Sequence, residues 1–132
     1  MKITADTNVL LRVVVGDDEA QQQVALETLE SAEVVAISAH SLCEFVWVLD
    51  RGYKTARGEI ASVIRHVLEM HNVVVNRPAV ESGLRMLETG GDFADGVIVY
   101  DGNWLGGETF VSFDKKAVSL VSQQGRQARL LA

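Results

Sequence analysis

The chain has 132 residues, 48% of them hydrophobic and 23% charged, a length and balance that fit one domain, residues 1–132, and exclude a disordered chain. Twelve Lys and Arg stand against 18 Asp and Glu, and the net charge of −6 excludes coating of nucleic acid by a basic surface. A nucleic-acid substrate held through bound cations stays open. The single cysteine, Cys43, excludes an internal disulfide and sits in an apolar stretch, where a buried inert thiol is expected. No uncharged apolar run approaches the roughly 20 residues of a membrane span, and the opening residues lack the apolar stretch of a signal peptide. A cytoplasmic protein with no membrane part is expected.

Lys2 to Ala5 reads as a first strand ending at Asp6. Asn8 to Val15 reads as a short buried helix stopped by Gly16, with a strand as the alternative because Val13, Val14 and Val15 are β-branched. Asp17, Asp18 and Glu19 open the next helix, where acids meet the positive end of the helix dipole. Val34 to Ile37 is a second strand. Ser38 caps a helix that runs to about Arg51, with Gly52 at its end. Thr55 is expected to cap another helix, whose Ile60, Val63, Ile64, Val67 and Leu68 keep i, i+3, i+4 spacing.

Val73 to Val75 is a third strand, short and continuous as in a buried parallel sheet. Arg77 and Pro78 start a helix over 79–87 that Gly90 and Gly91 end. Asp92 caps the next, which carries Val97, Ile98 and Val99 and is weakened by Gly96 and Gly102. Thr109 to Val111 is a fourth strand, 115–121 a last helix, and 128–131 a fifth strand. This βα alternation implies an α/β fold with a central parallel sheet of four to five strands and helices on its faces. In such sheets ligands bind at the carboxyl ends of the strands.

Four acids stand at the ends of apolar segments: Asp6, Glu44, Asp95 and Asp114. Carboxylates gathered at one sheet edge repel each other, and a divalent cation removes that cost. Each has a structural reading beside the functional one. Asp6 can be a helix cap, with Asn8 and Thr7 orienting it or a bound water. Asp92 and Asp95 can serve a dipole-stabilised helix start, Asp92 fitting the cap and Asp95 a ligand from the first turn. Asp114 can be an exposed turn acid, with Ser112 able to hydrogen-bond a neighbouring carboxylate. Glu44 lies in a helix that reads as apolar on most sides, where a lone carboxylate needs a partner such as Arg12. Lys115 and Lys116 can hold phosphates or simply face water. The histidines His40, His66 and His71 are scattered, without zinc-site spacing. Trp47 and Trp104 read as packing or interface residues.

Four stretches together resemble the PIN-domain ribonucleases, and among them the VapC toxins of type II toxin–antitoxin pairs. They are Ala-Asp-Thr-Asn-Val-Leu-Leu-Arg at 5–12, Leu-Cys-Glu-Phe-Val-Trp-Val-Leu at 42–49, Gly-Asp-Phe-Ala-Asp-Gly-Val-Ile at 91–98 and Glu-Thr-Phe-Val-Ser-Phe-Asp-Lys-Lys-Ala at 108–117. The resemblance implies a three-layer α/β/α domain in which Asp6, Glu44, Asp95 and Asp114 hold Mg²⁺ or Mn²⁺. It implies metal-dependent hydrolysis of RNA phosphodiester bonds, commonly in tRNA or ribosomal RNA. Asn8 and Ser112 match supporting polar positions, and Asp92 a frequent but less essential acid. A homodimer and inhibition by a VapB-type antitoxin are further implications. Gly96 stands where the family more often has alanine, Ser112 where threonine is commoner, and 100–104 continues its helix unusually.

Two rivals remain at this point. An Asp-based phosphoryl-transfer protein would need a second acid where Asn8 stands, or a phosphoacceptor after the third strand, where Val75-Asn76-Arg77 offers none. A PIN-like scaffold that binds RNA or protein without cutting would keep the fold and lack metal-dependent cleavage.

Overall fold

Strand β1, Lys2–Thr4, pairs in parallel with β2, Val34–Ala36, which pairs in parallel with β3, Val73–Val74. The computed structural model describes all residues, 1–132, and these form two units, Met1–Asn76 and Arg77–Ala132. In the first unit β2 is the middle strand, with Ile3 opposite Val35 and Val35 opposite Val73. Parallel neighbours cannot be joined by a tight hairpin. The crossovers are therefore helical: α1, Thr7–Val14, and α2, Glu19–Ser31, between β1 and β2, then α3, Ala39–Trp47, and α4, Arg57–Glu69, before β3.

The valine run 13–15 forms no strand. Val13 and Val14 finish α1, and Val15 donates its N–H to the Leu11 carbonyl at 2.7 Å. Asp18 caps α2 by accepting from Gln21 N, and Ser38 caps α3 by accepting from Ser41 N. Helix α3 buries Leu42, Phe45 and Val46 and passes into a π-helical turn, Val48–Gly52, that buries Leu49. These positions recur at i, i+3, i+4 and i+7, the inward stripe of a helix. Burying Phe45 fully stabilises by roughly 1.5–3 kcal/mol.

Thr55 does not cap α4. Its N–H donates to the Leu49 carbonyl at 2.9 Å, and Lys54 takes a left-handed φ of 52°. The chain reversal thus uses Thr55, and the helix begins two residues later behind Ala56, which makes no side-chain cap bond. Asn72 is buried, and its Nδ2 donates to the carbonyls of Leu29 at 2.8 Å and Ala32 at 2.9 Å. It ties the end of α2 to the start of β3 and leaves no buried donor unsatisfied on its amide.

In the second unit α5, Arg77–Glu88, packs along α6, Phe93–Trp104. Strands β4, Thr109–Ser112, and β5, Gln127–Leu130, pair in parallel around α7, Lys115–Gln123. Gly90, at φ +101°, ends α5 in a conformation that a side chain disfavours, and Gly91 N donates back to Met86 O at 2.7 Å. Met86, Val99 and Val121 form a buried cluster joined by Phe110, Leu120 and Ala128. All five expected strands are present and every pairing is parallel, three strands in one sheet and two in another where the sequence reading has one sheet of four to five, and the α/β class read from the sequence holds.

The α5–α6 contact explains Gly96, which on helix propensity alone is a weak point. A Cβ there would run into the Ser82 carbonyl oxygen and lie 2.7 Å from Gly83 Cα. Ser82 Oγ also donates to the Gly96 carbonyl at 2.7 Å. A Cβ on Gly83 would in turn meet the Phe93 ring at 2.7 Å. Close backbone approach, rather than flexibility, requires glycine here, and it seats the first turn of α6 against α5.

Candidate active site

Each unit carries an aspartate two residues past a strand end, and each of these aspartates caps a helix. In the first unit β1 ends at Thr4, and Asp6 caps α1, its Oδ1 accepting from Val9 N at 3.1 Å. In the second, β4 ends at Ser112, and Asp114 caps α7, its Oδ1 accepting from Lys116 N at 2.9 Å and Ala117 N at 3.1 Å. In both, one carboxylate oxygen is spent on the helix start and the other is free of hydrogen bonds. The cap reading and the ligand reading of these residues are therefore compatible.

The first unit brings Glu44 to the same helix start. Thr7, in the first turn of α1, donates its hydroxyl to Glu44 Oε1 at 3.1 Å and lies 3.4 Å from the Ser41 carbonyl oxygen. Glu44 is exposed, so it needs no buried partner of the kind that a helix apolar on most sides would demand. Leu42, Phe45 and Val46 take the buried face of α3 and leave Glu44 on the open one. Arg12 is not its partner: Arg12 Nη1 pairs with Asp17 Oδ1 at 3.1 Å. His40 Nε2, one turn earlier on α3, lies 3.5 Å from Glu44 Oε1. The i, i+4 spacing of His40 and Glu44 was the available signal for this neighbour.

Asp6, Asn8 and Arg12 line a groove of about 650 Å³ between α1 and α2, with Gln21 and Val24 on its other wall. No sequence pattern marked this groove, because its α2 wall is built of ordinary surface residues. Val24, at 63% exposure, offers an apolar surface to whatever enters.

The second unit gathers three acids. Asp92 caps α6, accepting from Ala94 N at 3.0 Å, as its sequence context predicts. Asp95 projects from the first turn and is half-buried. Burial raises its pKa above the ordinary aspartate value, and the nearby charges of Asp92 and Asp114 raise it further. Its carboxylate has neither a hydrogen bond nor an ion pair to offset that cost. Ser112 acts one step back: its Oγ accepts from Asp114 N at 3.0 Å and fixes the residue that carries the carboxylate. Lys116 folds towards Gly90, and neither it nor Lys115 pairs with Asp114.

Within each unit, no three His, Cys, Asp or Glu side chains already stand as a metal-binding group. The donor set still fits a hard divalent cation. It consists of carboxylate oxygens, and Asp95 is an uncompensated carboxylate beside two others. Trp47 and Trp104, 61% and 82% exposed, are not core residues, which leaves only the interface half of that expectation. Cys43 is half-buried rather than sealed in the core. No helix is long and apolar enough to cross a membrane.

The family model described as the PIN domain matches residues 3–117, which takes in all four candidate acids and reaches from the first unit into the second. No curated protein matches the chain.

Proposed function

The chain belongs to the PIN domain family, whose fold is that of nucleases, and from this premise we propose that it is a metal-dependent endoribonuclease. Its role is that of a VapC-like toxin in a type II toxin–antitoxin pair, acting on tRNA or ribosomal RNA in the cytoplasm as a single functional domain. The observation that carries the proposal is Asp95. A half-buried carboxylate without a hydrogen bond, its charge disfavoured by Asp92 and Asp114, is an environment built for a cation.

Asp6, Glu44, Asp95 and Asp114 would together hold Mg²⁺ or Mn²⁺. Bound there, the ion supplies a water nucleophile at neutral pH and charge stabilisation for the phosphate. The remaining roles fall to the chain. Thr7 holds Glu44 through its hydroxyl, and Ser112 holds the Asp114 backbone. The helix caps keep one oxygen of Asp6 and of Asp114 pinned and present the other. Asn8 stands beside Asp6 on the groove wall, where its amide is free to meet a substrate phosphate or sugar. The groove between α1 and α2 has room for a nucleotide segment or for a strip of a VapB-type antitoxin. A homodimer completes the family-based reading.

The test is cleavage of tRNA and ribosomal RNA by the purified chain in Mg²⁺ or Mn²⁺. The expected result is cutting that EDTA stops and that Asp95→Asn abolishes. Cutting that persists in EDTA and in Asp95→Asn overturns the proposal. Specific RNA binding without metal-dependent cutting would instead support the silent scaffold.

A further inference from the structure

Arg126 stands just before β5, and its Nη1 is fully enclosed without a hydrogen-bond partner. No other atom of that side chain has a partner either, in a protein whose acids outnumber its bases. Enclosing a guanidinium N–H without an acceptor forfeits its hydration with nothing in return, so such a group calls for an explanation. Arg126 lines a pocket of about 190 Å³ at the amino ends of β4 and β5. Asp114 lies past the carboxyl end of β4, so this pocket is at the far end of that strand from the candidate active site.

The pocket wall has a second donor. Thr109 Oγ1 donates to Gln127 Oε1 at 3.0 Å, which orients that amide and leaves its Nε2 hydrogens unpaired. Phe110 and Val111 supply apolar surface. The acid on the wall, Glu108, is exposed to water and makes no bond to Arg126. We infer that the Arg126 pocket is a binding site for a carboxylate carried on a short apolar stem, as a small organic acid or an acidic side chain presents it. The guanidinium takes the carboxylate, the Gln127 amide adds a donor, and the apolar wall takes the stem. This site is independent of the nuclease reading.

The test is an amide-resolved NMR titration of the full chain with butyrate, with N-acetylglutamate α-amide, and with butyramide as the uncharged control. The expected result is a saturable shift at Thr109, Phe110 and Gln127 with either carboxylate and none with butyramide. The tighter of the two carboxylates identifies the source. Arg126→Gln is expected to weaken binding about tenfold or more, the loss of one hydrogen bond to a charged group. Gln127→Glu tests the same site without removing the arginine. It places a carboxylate beside the guanidinium, and is expected to raise the Tm and abolish butyrate binding. No shift with either carboxylate, equal shifts with butyramide, or binding that survives both substitutions overturns the inference.

Discussion

The Thr7 hydroxyl donates to Glu44 Oε1 at 3.1 Å across a sequence separation of 37 residues. This bond links the helix that Asp6 caps to the helix that carries Glu44, and makes Thr7 a positioning residue. Removing it frees an exposed Glu side chain with several rotatable bonds. Thr7→Val keeps the β-branched shape and is expected to lower metal-dependent RNA cleavage about tenfold, with the circular dichroism unchanged. Thr7→Ser restores the hydroxyl and is expected to recover most of the rate. Equal rates for the valine and serine variants would show that the bond has no part in the reaction.

Asp95 predicts a pH-dependent stability. Its pKa is raised by burial first and by Asp92 and Asp114 next, so the folded chain binds that proton more tightly than the unfolded one. The stabilisation from the protonated form is complete below the unfolded Asp pKa of about 4 and is lost as pH rises through the folded value. At neutral pH without metal the ionised group therefore opposes folding. Asp95→Asn is expected to raise the Tm in EDTA at pH 7, with the gain shrinking towards pH 4. Mg²⁺ or Mn²⁺ is expected to raise the Tm of the unmodified chain and to have less effect on Asp95→Asn. Thermal scans across pH, with and without metal, measure both effects.

Gly96→Ala forces a methyl group against the Ser82 carbonyl oxygen, a backbone atom that cannot turn aside. The expected cost is roughly 1–3 kcal/mol of overpacking, opposite in sign to the gain that alanine brings to an exposed helix position. Urea unfolding measures it. Gly102→Ala is the matched control, because nothing lies within 4 Å of a Cβ there, and it is expected to be neutral or stabilising.

Ser112 separates an orienting hydroxyl from a mere strand residue. Ser112→Thr retains the acceptor for Asp114 N and is expected to cleave RNA near the native rate. Ser112→Ala removes the acceptor and is expected to lower kcat severalfold, with the Tm falling by a few degrees at most.

Periodicity and capping chemistry made most of the fold legible. Asp18, Ser38 and Asp92 cap the helices that their sequence contexts announce, and the short valine runs at 34–36 and 73–74 pair as parallel strands. What stayed hidden was set by tertiary approach. Nothing local to Gly96 shows that Ser82 lies against it, and nothing local to Thr55 shows that its N–H bonds back to the Leu49 carbonyl before the helix begins. The candidate acids can be named from the sequence, but their partners cannot. Thr7 and Glu44 meet only because α1 and α3 pack together, and the sequence around Glu44 reads as apolar on most sides because Leu42, Cys43, Phe45, Val46 and Trp47 surround it.

The double duty of Asp6 and Asp114 bears on how inactive variants are made. Each carboxylate is both a free oxygen and the acceptor that starts a helix, so alanine at either position deletes a function and about 1 kcal/mol of cap together. Asparagine caps a helix as well as aspartate does and carries no charge. Asp6→Asn and Asp114→Asn therefore isolate the chemistry, whereas a silent alanine variant reports lost activity and a loosened helix in one number.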